Sequence, residues 1–384
     1  MMIKQIEVKN FKTFSYQKID LGSFNVLIGA NASGKSNFLQ IFKFISDIAH
    51  HGLNNAISMQ GGLKYLRHTN IANQENLMLK IVIDSNHPLS YEFSLEFDET
   101  GFKIVRDKLA YAPNIEGSVG EFMRNHINGE LKTTNTLGEL MPDIFKNKHL
   151  LGTLKPNKLL LEQPLFKLIM AEMNENDIFN TLSIYDFDPK QPKKAAPIAG
   201  KIELEEDTSN LAIVLKNILV DKDKRRQFFN LLTYLLPFVE DVRIEEFTEK
   251  HLILSLKENH SNLYLPATFL SEGTINIISL IVALYFDEKP LFLMEEPEKN
   301  IYPCHFSKIV AMLKEVSDEK QIIVTTHHSE IVKYTAYENI LFILRDKEGA
   351  SKIIRPYEKE EVKLFLQSDG ISIEDLYLDD LLGI

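Results

Sequence analysis

Three short stretches carry side chains suited to work on a phosphate ester. Gly29-Ala30-Asn31-Ala32-Ser33-Gly34-Lys35-Ser36 fits the pattern GxxxxGK[ST]. Glycines let such a loop curl, so that successive N–H groups face phosphate oxygens, and a following helix adds the partial positive charge of its N-terminus. In that pattern Lys35 reaches the β- and γ-phosphates and Ser36 offers its hydroxyl to Mg²⁺. The expected ATP cradle comprises Gly29, Asn31, Ala32, Ser33, Gly34, Lys35, Ser36 and the adjoining Asn37. Glu295 and Glu296 follow the apolar run 291–294. Two adjacent carboxylates can divide the labour, Glu295 holding Mg²⁺ through its waters and Glu296 polarising the attacking water. Thr325-Thr326-His327 ends the next apolar run, which positions His327 to sense the γ-phosphate and that water. His328 leaves the strand end in another direction and is read as an ordinary neighbour.

Strands and helices must place these groups. Residues 25–28 read as a buried strand, and a helix pattern from 35 to about 49 puts Phe38, Leu39, Ile41, Phe42 and Ile45 on one side. Residues 3–8, 77–84 and 91–97 alternate like strands, the last two joined by Asn86-His87-Pro88. Further on, helix patterns at 273–286 and 304–316 intersperse with apolar strands at 291–294, 321–326 and 340–344. Buried strands alternating with helices imply a mainly parallel sheet covered on both faces. Residues 111–260 are broken by Pro113, Gly117, Gly120, Gly129, Gly138 and Pro142, with helical patterns at 165–174, 209–219 and 224–236. No heptad run fills that span, so it is expected as a compact lobe and not a long coiled coil. The expected fold is α/β, a phosphate-loop ATPase head split by a mostly helical insert. Its parts are 1–110 with the phosphate loop, 111–260 as the insert, 261–345 with the paired acids and histidine, and 346–384 as an acidic tail closing the head.

Charge limits the partners. The chain holds 43 Lys+Arg against 54 Asp+Glu, a net charge of -11. Residues 1–200 carry 22 and 21 of these, so the acidity lies in the second half. That balance argues against coating nucleic acid by global attraction, though a local basic groove stays open. The densest basic cluster is Lys190, Lys193 and Lys194 in a Pro-rich loop, readable as a solvated loop or as a nucleic-acid contact. One cysteine, Cys304, rules out intramolecular disulfides and clustered-cysteine metal sites. The N-terminus alternates like a strand and not like a signal peptide, and the apolar run 277–286 is about half the length of a membrane span. A cytoplasmic protein with no membrane partner is expected.

Taken together, these motifs resemble those of ABC-type ATPase heads in RecF-like and structural-maintenance-of-chromosomes proteins. They are most similar to stand-alone bacterial AAA-type ATPases related to the overcoming-lysogenisation-defect family. Asn10-Phe11 before the phosphate loop, Gly29 to Ser36, and Glu295-Glu296-Pro297-Glu298 after four apolar residues match that pattern. Phe269-Leu270-Ser271-Glu272-Gly273-Thr274 resembles the ABC signature, and Thr325-Thr326-His327 the switch histidine. The resemblance implies a homodimer in which Ser271 and the N–H of Gly273 cap the ATP held by the other subunit. It also implies a glutamine contributing to the Mg²⁺ site, for which Gln60, before Gly61-Gly62, is the candidate. Two departures stand out: Glu298-Lys299-Asn300-Ile301-Tyr302-Pro303 replaces the usual Glu-Asn-Gly-Leu-His-Pro, and Ser329-Glu330 replaces the usual Ser-Pro.

The 57 residues after His327 are too few for the nuclease domain that follows it in the longer relatives. A separate nuclease or toxic effector is therefore the expected partner, with the acids Glu374, Asp375, Asp379 and Asp380 read as solvated surface. The first functional expectation is the ATPase subunit of an anti-phage defence system. A RecF-like DNA-repair ATPase and an ATP-gated scaffold without hydrolysis are the alternatives.

Overall fold

The computed structural model describes residues 2–68, 75–84, 88–98, 101–111, 120–127, 130–136, 155, 157–172, 179, 181–198 and 201–356. Among these the chain divides into two compact units, one from residues 2–182 with 341–356 and one from 183–340. The acids expected as a solvated tail, Glu374 to Asp380, lie outside the described residues.

In the first unit an antiparallel sheet has the spatial order Phe14–Asp20, Met2–Phe11, Leu77–Asp84, Leu89–Asp98, Gly101–Tyr111, Gly120–Ile127 and Glu130–Asn135. Strict alternation along Leu77–Asp84 buries Leu77, Leu79, Ile81 and Ile83 on one face, as a one-sided sheet requires. The helix Lys35–His51 lies on that face. Its Phe38 meets Phe14 and its Phe44 meets Phe11 and Phe93, with ring centroids 5.7–6.4 Å apart. Each fully buried ring contributes roughly 2 kcal/mol of apolar transfer, so this helix start is rigidly held. Three further strands, Phe24–Ile28, Ile340–Arg345 and Ser351–Ile354, lie side by side. The last pairs antiparallel with its neighbour, Phe342 opposite Ile354.

A buried polar network ties the segment around Leu160 to the antiparallel sheet. Asp107 accepts from the Tyr91 hydroxyl and the Leu160 N–H, each at 2.8 Å, and pairs with Arg124. Arg124 in turn donates to the carbonyls of Lys155 and Lys158. Burial raises the Asp107 carboxyl above its ordinary range despite the opposing guanidinium. A charge so enclosed is tolerable only because its oxygens are filled.

The second unit contains the parallel pair Leu291–Glu295 and Gln321–Thr326, in register from Leu291 opposite Gln321 to Glu295 opposite Thr325. Leu182–Tyr185 flanks the first of them. The helix Glu272–Tyr285 is buried at every position from Thr274 to Leu284, as an element enclosed on all sides must be. A small antiparallel sheet joins Ala196–Pro197, His251–Glu258, Val239–Thr248 and Tyr264–Pro266. Beside it lie the helices Leu211–Val220 and Lys222–Leu235, the latter capped by the Asp221 carboxylate on two backbone N–H groups. Residues 111–260, expected as mostly helical, thus also carry strands of both antiparallel sheets. Gly120 opens one of those strands, whereas Pro113, Gly117, Gly129, Gly138 and Pro142 lie outside the described residues. No helix among the described residues is long and apolar enough to cross a membrane.

Candidate active site

The phosphate loop is built by what packs around it. Phe24–Ile28 is buried at all its positions and leads into Gly29. Ala32 and Gly34 both have left-handed backbone, φ 64° and 113°. Gly34 opens the helix Lys35–His51 without any side-chain cap. A Cβ there would strike Ser351 Oγ and come within 2.9 Å of Thr13 Oγ1. Side chains from the chain's far end brace the loop: Ser351 Oγ donates to the Ser33 carbonyl at 2.6 Å and Arg345 Nε to the Ala32 carbonyl at 2.9 Å. Asn37 Nδ2 donates to Thr13 Oγ1 at 3.1 Å. Lys35 is 8% exposed, and its Nζ donates to the carbonyls of Gly29 and Ala30 at 2.8 and 3.0 Å. Asn31, Ala32 and Ser36 are exposed, whereas Ser33 and Gly34 are buried.

Thr13, Arg345 and Ser351 were not among the residues singled out from sequence. The strand Ser351–Ile354 was missed because four residues give too short a pattern. Its signal was the turn Asp346-Lys347-Glu348-Gly349, whose Asp346 accepts from Glu348 N–H and Ala350 N–H.

Gln60 ends the helix Leu53–Met59 and is 7% exposed. Its Oε1 is buried without a hydrogen-bond partner. An orphaned amide oxygen, a serine hydroxyl and a carboxylate are hard oxygen ligands of the kind Mg²⁺ takes. Ser36, Gln60 and, in the other unit, Glu295 each carry an oxygen donor of that kind.

In the second unit, register brings the acids and the histidine together. Glu295 and Thr325 are opposite, so Glu296 and His327 emerge at one edge. The Glu296 N–H donates to the Thr325 carbonyl at 2.9 Å while its φ is 45°. A left-handed residue with a long side chain costs about 1–2 kcal/mol, a strain that clusters at functional positions. Glu296 Oε1 then lies 2.6 Å from His327 Nδ1. Below them Glu298 is 1% exposed and accepts from the Thr326 hydroxyl through Oε1. Burial, reinforced by the Glu296 charge, pushes the Glu298 carboxyl up to about 7 against the pull of Thr326. Burial lowers His328, whose ring packs against Phe306 and His327.

The signature-like segment caps its own helix. Ser271 is exposed and its Oγ accepts from the Thr274 N–H at 3.0 Å. Phe269 beside it is 77% exposed. Gly273 sits directly against the loop after the paired acids, where a Cβ would lie 2.6 Å from the Asn300 carbonyl. Asn276 Nδ2 donates to the Lys299 carbonyl at 2.6 Å, and Asn300 Nδ2 to Glu272 Oε2 at 3.0 Å. The sequence offered Gly273 as a phosphate contact; its packing on Asn300 is a second reason for glycine.

Comparison with known proteins places this geometry. The family model described as "AAA domain, putative AbiEii toxin, Type IV TA system" matches residues 24–333. The chain belongs to this AAA-domain family. It is an ATPase of that family, with the fold of a structural-maintenance-of-chromosomes head. One relative, an ATP/GTP phosphatase of Helicobacter pylori (strain ATCC 700392 / 26695), is 22% identical, over 96% of this chain and 99% of that protein. Among solved structures, the SmcHead bound to the C-winged helix domain of ScpA is similar with a TM-score of 0.51 and 16% identity. That match covers 92% of this chain and 98% of the other.

The basic loop of this AAA-domain protein is tightly folded. Asp188 accepts from the Lys190 N–H and from Gln191 Nε2, and Lys194 Nζ donates to Gln191 Oε1 at 3.0 Å. Lys193 and Lys194 line a cavity of about 570 Å³ together with Glu245, Glu246, Phe247 and Phe269.

Proposed function

We propose that this AAA-domain ATPase is an ATP-gated dimerisation switch, the sensor subunit of a bacterial anti-phage system acting on a separate effector. The observation that carries the catalytic part is the 2.6 Å contact between Glu296 and His327. Glu296 takes the role of general base, aligning a water for in-line attack on the γ-phosphate. His327 holds the carboxylate in place through Nδ1 and reads the γ-phosphate. The loop from Gly29 to Ser36 holds the phosphates, its N–H groups and Lys35 neutralising charge. Ser36, Glu295 and Gln60 are the residues that would hold Mg²⁺, which when bound supplies further charge neutralisation at the phosphate oxygens. GTP is a second substrate to test, since the Helicobacter relative is named for both nucleotides.

Dimerisation is supported by the exposure of Ser271 and Phe269 at the start of a buried helix. In the proposed dimer Ser271 and the N–H of Gly273 cap ATP held by the second copy. Gly273 lies against Asn300, so a shift of the cap would press on the loop after Glu296. That gives a physical route from nucleotide state to dimer shape. The family description names a putative toxin of a Type IV TA system, which favours a defence setting over a repair role. The acids Glu245 and Glu246 beside Lys193 and Lys194 likewise offset a basic surface for DNA. The test is light scattering of wild type and Glu296→Gln with Mg²⁺-ATP. A dimer that persists in the variant and decays in wild type supports the switch; monomers in both contradict it. Equal ATP-dependent affinity for DNA ends with no effector engaged would favour the RecF-like alternative.

A further inference from the structure

The second unit holds a ligand set that shares His327 with the proposed hydrolytic pair but adds two residues hydrolysis does not use, Glu298 and His328. Glu298, His327 and His328 each offer one donor atom, and these lie within 4.8 Å of one another. Glu298 is buried at 1% exposure, and its Oε2 has no hydrogen-bond partner. Its Oε1 is fixed by the Thr326 hydroxyl, so the carboxylate cannot swing out. The rings of His327 and His328 lie against one another, centroids 4.4 Å apart and planes tilted by 33°. His327 Nδ1 is engaged by Glu296 Oε1, so Nε2 is the ring nitrogen available to an ion. A carboxylate behind a histidine is also how metal-binding imidazoles are oriented.

We propose that Glu298, His327 and His328 form a site for a divalent transition ion of the Zn²⁺ class, and that filling it withdraws His327 from hydrolysis. Two imidazoles and one carboxylate suit Zn²⁺ far better than Mg²⁺, which prefers oxygen ligands throughout. Bonds of about 2.0–2.1 Å require the donor atoms to close up, and rotation of the partly exposed histidines supplies that movement. A fourth position stays open to water. The ion would be an inhibitor at a place distinct in chemistry from the Ser36, Glu295 and Gln60 set.

The test begins with full-length, nucleotide-free protein treated with chelator and then titrated with Co²⁺, read by its visible absorption, and with Zn²⁺ by calorimetry. One ion per chain is expected. His328→Gln and Glu298→Gln should each weaken binding at least about tenfold, with folding checked by circular dichroism. Cys304→Ser should leave it unchanged, although this exposed thiol is an alternative soft ligand. In a second arm, Zn²⁺ added at saturating Mg²⁺-ATP should slow wild-type hydrolysis on the order of 10²-fold and leave His328→Gln nearly unaffected. Unchanged affinity in both ligand variants, or its loss in Cys304→Ser, would overturn the site. Tight binding with no slowing would overturn the inhibition. The binding arm involves neither nucleotide nor dimer, so its failure is distinguishable from failure of the switch.

Discussion

Glu296 Oε1 and His327 Nδ1 meet at 2.6 Å although 31 positions separate them in the chain. The parallel register does this: each residue follows a member of the last ladder pair, Glu295 with Thr325, so both side chains leave the same edge. Residues acting as one unit lose most of their effect when either is removed. Glu296→Gln and His327→Ala should each lower kcat by roughly 10²-fold or more. The double variant should be little worse than Glu296→Gln alone. Steady-state phosphate release checks this; multiplicative losses would mean the two act separately.

The left-handed backbone at Glu296 makes a prediction about stability. Its φ of 45° suits glycine better than any residue with a Cβ. Glu296→Gly should therefore be more stable than Glu296→Ala by about 1 kcal/mol, measured by urea denaturation, although both lack the carboxylate. Equal stability would show that the loop relaxes when the carboxylate is lost.

Much of this was legible in the sequence, for definable reasons. The strands Leu77–Asp84 and Gln321–Thr326 were read with their observed ends, because strict alternation and an unbroken apolar run are the clearest strand patterns. The helix after the phosphate loop was read as ending near residue 49 and runs to His51. What could not be read was long-range packing. No local pattern tells that Arg345 and Ser351 brace Ala32 and Ser33, some three hundred residues earlier. Nor could the sequence separate Glu298 from Glu295 and Glu296 as the buried member of three acids, since burial follows from the turn at Pro297 and not from residue type. The ring of His328, read as an ordinary neighbour, lies tilted against that of His327 with centroids 4.4 Å apart.

Gly273 tests the coupling between the signature helix and the loop that follows Glu296. Alanine is a better helix former than glycine by about 1 kcal/mol. A Cβ here, however, would lie 2.6 Å from the Asn300 carbonyl. Such overpacking costs typically about 1–3 kcal/mol, so Gly273→Ala should be no more stable than wild type. It should displace the 298–301 loop and impair ATP-dependent dimerisation while the chain stays folded. A stabilised variant with normal dimerisation would show the contact to be incidental.

Glu298 sets a pH dependence. Its carboxyl is raised from 4.5 to about 7, chiefly by burial. A folded-state value above the unfolded one favours the fold below pH 4.5 and loses that advantage as pH rises through 7. With chelator present, wild type should lose roughly 3 kcal/mol at most relative to Glu298→Gln between pH 4.5 and 8. Denaturant midpoints across that range check it. A difference independent of pH would mean that Glu298 stays ionised when folded.

The central claim is that Lys35 and Glu296 belong to the machinery that hydrolyses ATP. Phosphate release by Lys35→Ala and Glu296→Gln, each confirmed as folded, tests it most directly. Lys35→Ala should fail to bind nucleotide, and Glu296→Gln should bind it and turn it over at least roughly 10²-fold more slowly than wild type. Wild-type hydrolysis by both variants would contradict the assignment.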